Sequence, residues 1–200
     1  MKADAVKARM MQMVDEQIVP GVSYAYLHDG QVETMVYGKA AQVPQVQPLR
    51  WGMLYDMASL TKVVGTTTMI LKMIEQEMLA LDDRVADHIP LFNDQRVTVR
   101  HLLTHTSAIS GYIPHRNQLP PDKLLAALDS LSVGDWFDQK VVYTDVGLIM
   151  LGQIIEKFYQ APVQTVIQNE VLIPLGLTES TFDPVKENCV PMEMTADRGG

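Results

Sequence analysis

The sequence predicts a mixed α/β protein of the α+β type, in which helix and sheet are segregated along the chain. Three observations carry this. An opening stretch repeats apolar residues at helical spacing, two β-rich runs flank Asp29-Gly30, and nearly everything after them repeats apolar residues at helical spacing again.

From Ala3 to Gln17, Val6, Met10, Met13 and Val14 fall on one side of a helix, and Pro20-Gly21 is placed to end it. Val22 to Leu27 and Gln31 to Tyr37 then form strands about Asp29-Gly30, a dipeptide suited to the positive backbone angles of a tight hairpin. Ala40 to Met53 has neither period and contains Pro44, Pro48 and Gly52, so it is expected to be a loop leaving the sheet. From Ser59 to Leu79 the positions Val63, Thr67, Ile70, Leu71, Ile74 and Met78 follow a helical stripe. Gly65 and its threonines are poor helix formers, so this helix needs tertiary packing. Ordered segments follow at Asp82 to Ile89 and Val97 to His105, with helices from about Asp122 to Leu131, from Val146 to Tyr159 and after Pro162. Beyond the hairpin the chain is expected to be helical, with no internal repeat and no low-complexity tract.

Composition narrows the function. With 200 residues, 47% hydrophobic and 20% charged, the chain can bury a substantial core. A net charge of -8 without a Lys/Arg cluster argues against nucleic acid as a partner. The single cysteine, Cys189, cannot staple the chain to itself. Asp15 and Glu16 interrupt the apolar start, and no run approaches the ~18 apolar residues of a membrane span. The expectation is a cytoplasmic protein with no membrane span. Thirteen methionines are read as pliable core packing rather than a metal or redox box.

Ser59-Leu60-Thr61-Lys62 sets a hydroxyl and an amine three positions apart, on one face of a helix and in reach of each other. At the helix N-terminus Ser59 would stand where developing negative charge is favoured, and a buried Lys62 could accept a proton. The bland reading is a serine cap beside a surface lysine. The tetrapeptide's place, opening an apolar helix after a loop, favours the functional one. Tyr143-Thr144-Asp145 precedes the helix at Val146, where Asp145 could simply cap and Tyr143 be a half-buried aromatic. His101 and His105 are four apart, but no glutamate follows His101 as a zinc protease requires, so no metal is expected. His105-Thr106-Ser107 is expected to form a hydrogen-bonded turn and cap. No G-x-S-x-G elbow occurs.

Taken together, Ser59, Lys62 and Tyr143-Thr144-Asp145 resemble the motifs of the serine β-lactamase and penicillin-binding-protein superfamily. The runs MASLTKVVGTTTMILKMIEQEMLALDDRVADHIP, VTVRHLLTHTSAISG, VYTDVGLIMLGQIIE and LIPLGLTESTFDP look like its class C β-lactamase and D-alanyl-D-alanine carboxypeptidase/esterase branch. The resemblance covers nearly the whole chain. It implies a β-lactamase-like fold, an antiparallel sheet with helices against it joined to a helical region, with residues 1–58 in the first part and 59–200 in the second. It also implies an acyl-enzyme serine hydrolase with no cofactor: Ser59 is acylated, Lys62 activates it, Tyr143 moves protons, and Asp145 lies in the substrate-binding position. The substrate would be a small-molecule or peptide acyl compound, an amide or ester.

Two departures qualify the resemblance. The family's middle triplet usually ends in Asn, so Asp145 adds negative charge beside Lys62 and should make it a poorer base, giving a weak β-lactamase at best. No K-T-G or H-x-G triplet follows the helical region, and His28-Asp29-Gly30 lies instead in the first hairpin. The expectation is a chain incomplete at its C-terminus, whose sheet holds two strands and an open edge through which it could self-associate. A promiscuous carboxylesterase, or a catalytically silent binding module, are the alternatives.

Overall fold

The computed structural model describes residues 2–111 and 113–192. They divide into two compact units: one holds the chain through Asp56 together with the residues from Asp183 on, the other Met57–Phe182. No helix among the described residues is long and apolar enough to cross a membrane.

In the first unit, helix α1 (Lys2–Asp15) precedes strands β1 (Gly21–His28) and β2 (Gln31–Ala41). The helix ends before Pro20: Gln17 turns left-handed at φ 59° while the Ile18 amide reaches back to the Met13 carbonyl. Strands β1 and β2 pair antiparallel from Gly21↔Gly38 to His28↔Gln31, leaving Asp29 and Gly30, both at positive φ, as the predicted two-residue turn.

The loop expectation for residues 40–53 is corrected in part. Strand β2 runs on to Ala41, and a short β3 (Gln47–Pro48) pairs with it through an irregular register, so the sheet has three strands in the order β1-β2-β3. Alternation fails there because Ala40 and Ala41 are both buried, and Pro48 at the edge needs no ladder donor. From Asp183 the described chain returns to this unit, where the Leu54 amide donates to the Asn188 carbonyl and the Val190 amide donates to the Leu54 carbonyl.

The second unit is built around two apolar helices. The segment after Ser59 is π-helical over Lys62–Thr67, with the Thr68 hydroxyl donating to the Val63 carbonyl, and continues as α2 (Thr68–Glu75). It stops short of the predicted Leu79 because Glu77 turns left-handed and the Met78 amide closes onto the Met73 carbonyl. Its Met69, Ile70 and Met73 are fully buried with Met150, Leu151 and Ile154 of α5 (Val146–Tyr159). Packing supplies what Gly65 and the threonines lack in propensity. Around this pair stand α3 (Val99–Leu103), α4 (Pro121–Asp129) and α6 (Val163–Ile167). The expectation of an all-helical remainder also needs correcting, since β4 (Ile109–Ser110) and β5 (Ser132–Val133) form a two-stranded ladder. Two-residue strands are too short to show a period.

Candidate active site

Ser59 sits in a tight turn at the entry to the helical segment that begins at Lys62, where the amides of Leu60, Thr61 and Lys62 each bond to the carbonyl three residues back. Ala58, immediately before it, is held at φ 43°, a left-handed conformation that costs an alanine about 1 kcal/mol. The tight turn keeps the three-residue spacing effective, and Lys62 Nζ donates to Ser59 Oγ at 3.1 Å.

Tyr143 comes from the segment ahead of α5. That segment is brought in by a close approach of α5 to α3: a Cβ on Gly147 would lie 3.3 Å from the Leu102 carbonyl oxygen. Tyr143 Oη bonds to Ser59 Oγ at 2.7 Å, and Lys62 Nζ lies 5.0 Å from the Tyr143 ring centre. Asp145 precedes α5 as predicted but does not cap it. Its side chain makes no cap hydrogen bond, and Oδ1 lies 2.5 Å from Lys62 Nζ. The Thr144 hydroxyl accepts the Val146 amide instead. All four sequence-predicted site residues are thus brought together. Ser59, Lys62 and Tyr143 line a cleft of about 520 Å³ whose other walls include Met57, Leu60, Val63, Leu103 and Leu148.

The electrostatics separate the two candidate bases. Hydrogen bonding to Asp145, and secondarily to Tyr143, holds the Lys62 ammonium above its ordinary range. Hydrogen bonding to Lys62 and then to Ser59 draws the Tyr143 phenol below its ordinary range. The lysine is therefore held charged, and the phenol is more acidic than that of an isolated tyrosine.

His105 falls on the same wall. The chain turns left-handed there at φ 57°, so the helical spacing from His101 is broken, and the two imidazoles go to different neighbours. His101 Nδ1 accepts the Thr98 amide and its ring lies against Phe137, whereas the His105 ring packs on Tyr143 with centroids 4.8 Å apart. The predicted turn is present, with the Thr106 amide bonded to the His101 carbonyl. Its side-chain contact with Tyr143 was not anticipated. No local sequence signal reports it, because histidine is among the non-glycine residues that left-handed turns favour and the turn alone accounts for it. No group of three His, Cys, Asp or Glu side chains that could hold a metal occurs among the described residues.

The chain matches the Beta-lactamase family over residues 6–199. It is 28% identical to an Escherichia coli protein named "Putative D-alanyl-D-alanine carboxypeptidase", over 94% of this chain and 50% of that protein. Among solved structures, a class C β-lactamase in complex with cefoxitin superposes with a TM-score of 0.81 at 25% identity, covering 93% of this chain and 52% of that one. The octameric penicillin-binding protein homologue from Pyrococcus abyssi superposes with a TM-score of 0.69 at 25% identity, over 88% of this chain and 43% of that one. The chain spans about half the length of the relatives it matches. A match over nearly every residue, on a fold of mixed sheet and helix that superposes this closely, shows that the chain belongs to the Beta-lactamase family.

Proposed function

We propose that this chain carries the acylation machinery of a serine hydrolase, with Ser59 as nucleophile, Tyr143 as its proton acceptor, Lys62 as the fixed charge that makes Tyr143 acidic, and Asp145 beside the substrate. The observation that carries the reading is the convergence of Tyr143 Oη and Lys62 Nζ on Ser59 Oγ, at 2.7 and 3.1 Å, in a cleft. In the phenolate form Tyr143 accepts the Ser59 proton as Oγ bonds to the carbonyl carbon of the substrate. The tetrahedral adduct then collapses, the bond to the leaving group breaks, and the leaving group takes the proton from Tyr143. Water reverses the sequence at the ester on Ser59, releasing the acid. Lys62 stays protonated throughout and stabilises the phenolate.

The apolar walls of the cleft, and the Asp145 carboxylate that meets its Lys62 from an adjoining cleft, favour an uncharged ester or amide over a compound whose own carboxylate must approach Lys62 beside Asp145. The reading is therefore of esterase-like chemistry with weak β-lactamase activity. Self-association through the β1 edge of the sheet is the corresponding assembly proposal, checked by light scattering.

Intact-mass measurement after incubation with a fluorophosphonate and, separately, a fluorescent penicillin tests the site. One adduct, lost in Ser59→Ala, with the fluorophosphonate faster, is the expected result. No adduct on correctly folded protein would make this chain a catalytically silent module. Rapid penicillin turnover would overturn the substrate assignment.

A further inference from the structure

We propose that His105 is a positioning residue, setting Tyr143 against Ser59 by holding residues 142–144 through its carbonyl, its ring face and an unprotonated Nδ1. The proposal rests on the reading of Ser59 and Tyr143 given above. Residues 140–144 lie in neither helix nor strand, so the placement of the Tyr143 phenol depends on what its backbone is tied to. His105 supplies consecutive ties: its carbonyl accepts the Val142 amide at 2.9 Å, its ring lies against the Tyr143 ring, and its Nδ1 accepts the Thr144 amide at 3.4 Å.

An amide N–H can only donate, so Nδ1 must be the lone-pair nitrogen and the ring must be neutral, with its proton on Nε2. The groups facing the ring agree with that state. Burial, and then the Lys62 ammonium, hold the imidazole below its ordinary range, opposed by Asp145; Tyr143 is the remaining titratable neighbour. The backbone adds a separate argument. At φ 57° a glycine would meet the needs of the turn with less strain, and it would keep the carbonyl that holds Val142. What only a side chain can add is the ring face and the acceptor for Thr144. Protonation would turn a second N–H toward the Thr144 N–H, leaving two donors face to face.

Three proteins test this: the unaltered chain, His105→Gly and His105→Asn. Glycine keeps the backbone conformation and the carbonyl but removes ring and acceptor. Asparagine tolerates the left-handed conformation, offers Oδ1 at the branch point where histidine offers Nδ1, and does not titrate. The readouts are the exchange rate of the Thr144 amide by NMR and the rate of fluorophosphonate labelling of Ser59, each between pH 5 and 8.

In His105→Gly, Thr144 exchange should rise, and labelling should fall, by about tenfold at pH 7.5, the scale of one lost hydrogen bond. His105→Asn should restore both to within about threefold. In the unaltered chain Thr144 protection should weaken on acidification below about pH 6.5, the ordinary imidazole value, and this limb should vanish in His105→Asn. Unchanged Thr144 exchange in His105→Gly, failure of His105→Asn to restore it, or persistence of the acid limb in His105→Asn would each overturn the proposal. If the unaltered chain takes no label, the nucleophile assignment fails. Thr144 exchange in the three proteins still decides whether His105 holds the segment.

Discussion

The seating of the helix that follows Ser59 can be tested at Gly65, one turn beyond Lys62. A Cβ placed there would lie 3.1 Å from Cδ1 and 3.3 Å from Cγ2 of Ile167, a residue of α6 that is itself buried. Carbon contacts are most favourable at about 3.5–4.0 Å, so the new methyl must push Ile167 by several tenths of an ångström. Against this stands the helical gain of replacing glycine by alanine, about 0.5–1 kcal/mol. Overpacking of a close-packed site costs about 1–3 kcal/mol, so Gly65→Ala should be neutral to about 2.5 kcal/mol destabilising. Ile167→Val removes Cδ1, the nearest atom. Alone it should cost about 0.5–1.5 kcal/mol for the lost buried methyl. In the Gly65→Ala background the same deletion relieves the nearer of the two close contacts, so the double variant should be more stable than the sum of the single effects by at least about 0.5 kcal/mol. Urea midpoints, with slopes confirmed equal, measure the cycle. Additivity within about 0.3 kcal/mol would show that the helix carrying Ser59 and Lys62 is not seated by contact with α6, and the account of how Gly65 contributes would fall.

Three further outcomes follow from the electrostatics. Lys62→Met should raise the midpoint of the Tyr143 phenol in an ultraviolet titration corrected with Tyr143→Phe, because Lys62 is the largest cause of its depression; no movement would remove Lys62 from the mechanism. His88 is held below its ordinary range chiefly by burial, and its Nδ1 finds no hydrogen-bond partner among the described residues. The unfolded chain therefore binds more protons below about pH 6.5, so stability should fall as pH drops through that value, and His88→Phe should flatten this part of the profile in urea titrations. Asp129 is buried, accepts a 2.7 Å hydrogen bond from Gln153, and is held above its ordinary range by burial. There the native state binds more protons than the unfolded one above about pH 4, so its contribution declines as pH rises. Asp129→Asn keeps an acceptor for Gln153 and should raise the urea midpoint at pH 7, and a lowered midpoint would mean that the carboxylate has a partner the amide cannot serve.

Where the fold was legible, one local rule and the tertiary environment agreed. Asp29-Gly30 demands positive φ at two positions and receives it, and the stripe through α5 runs uninterrupted because Met150, Leu151, Ile154 and Ile155 all face one core. The sequence misled where the two diverged. The helix after Ser59 was legible in its apolar stripe, but not in its π-helical start, which places the Thr68 hydroxyl on a carbonyl five residues back. Strand β3 was hidden by prolines that an edge position tolerates.

At the site, motif spacing pointed to Ser59, Lys62, Tyr143 and Asp145, yet spacing alone could not say what Asp145 does. Two explanations were available to a carboxylate one residue before a helix: a cap for free amides, or a partner for a cation. The cap was the more probable on composition, since that position favours aspartate in any helix. The structure decides by assignment of donors. Thr144 takes the Val146 amide, which leaves the Asp145 carboxylate to meet Lys62. His105 was missed for the same reason in reverse: a turn accounted for its backbone, and a residue whose backbone is explained invites no question about its ring. In both cases the contact is between segments some 40 to 80 residues apart in sequence, Ser59 or Lys62 with the chain before α5, and His105 with that same chain. Periodicity reports on neighbours one turn apart. The three residues before α5 carry no period, and they receive their meaning from helices whose packing is decided elsewhere, at Gly147 against Leu102 and at Gly65 against Ile167. A substitution at either glycine should therefore disturb the Ser59 cluster without touching it, which makes the glycines better tests of the site's construction than the residues that face the cleft.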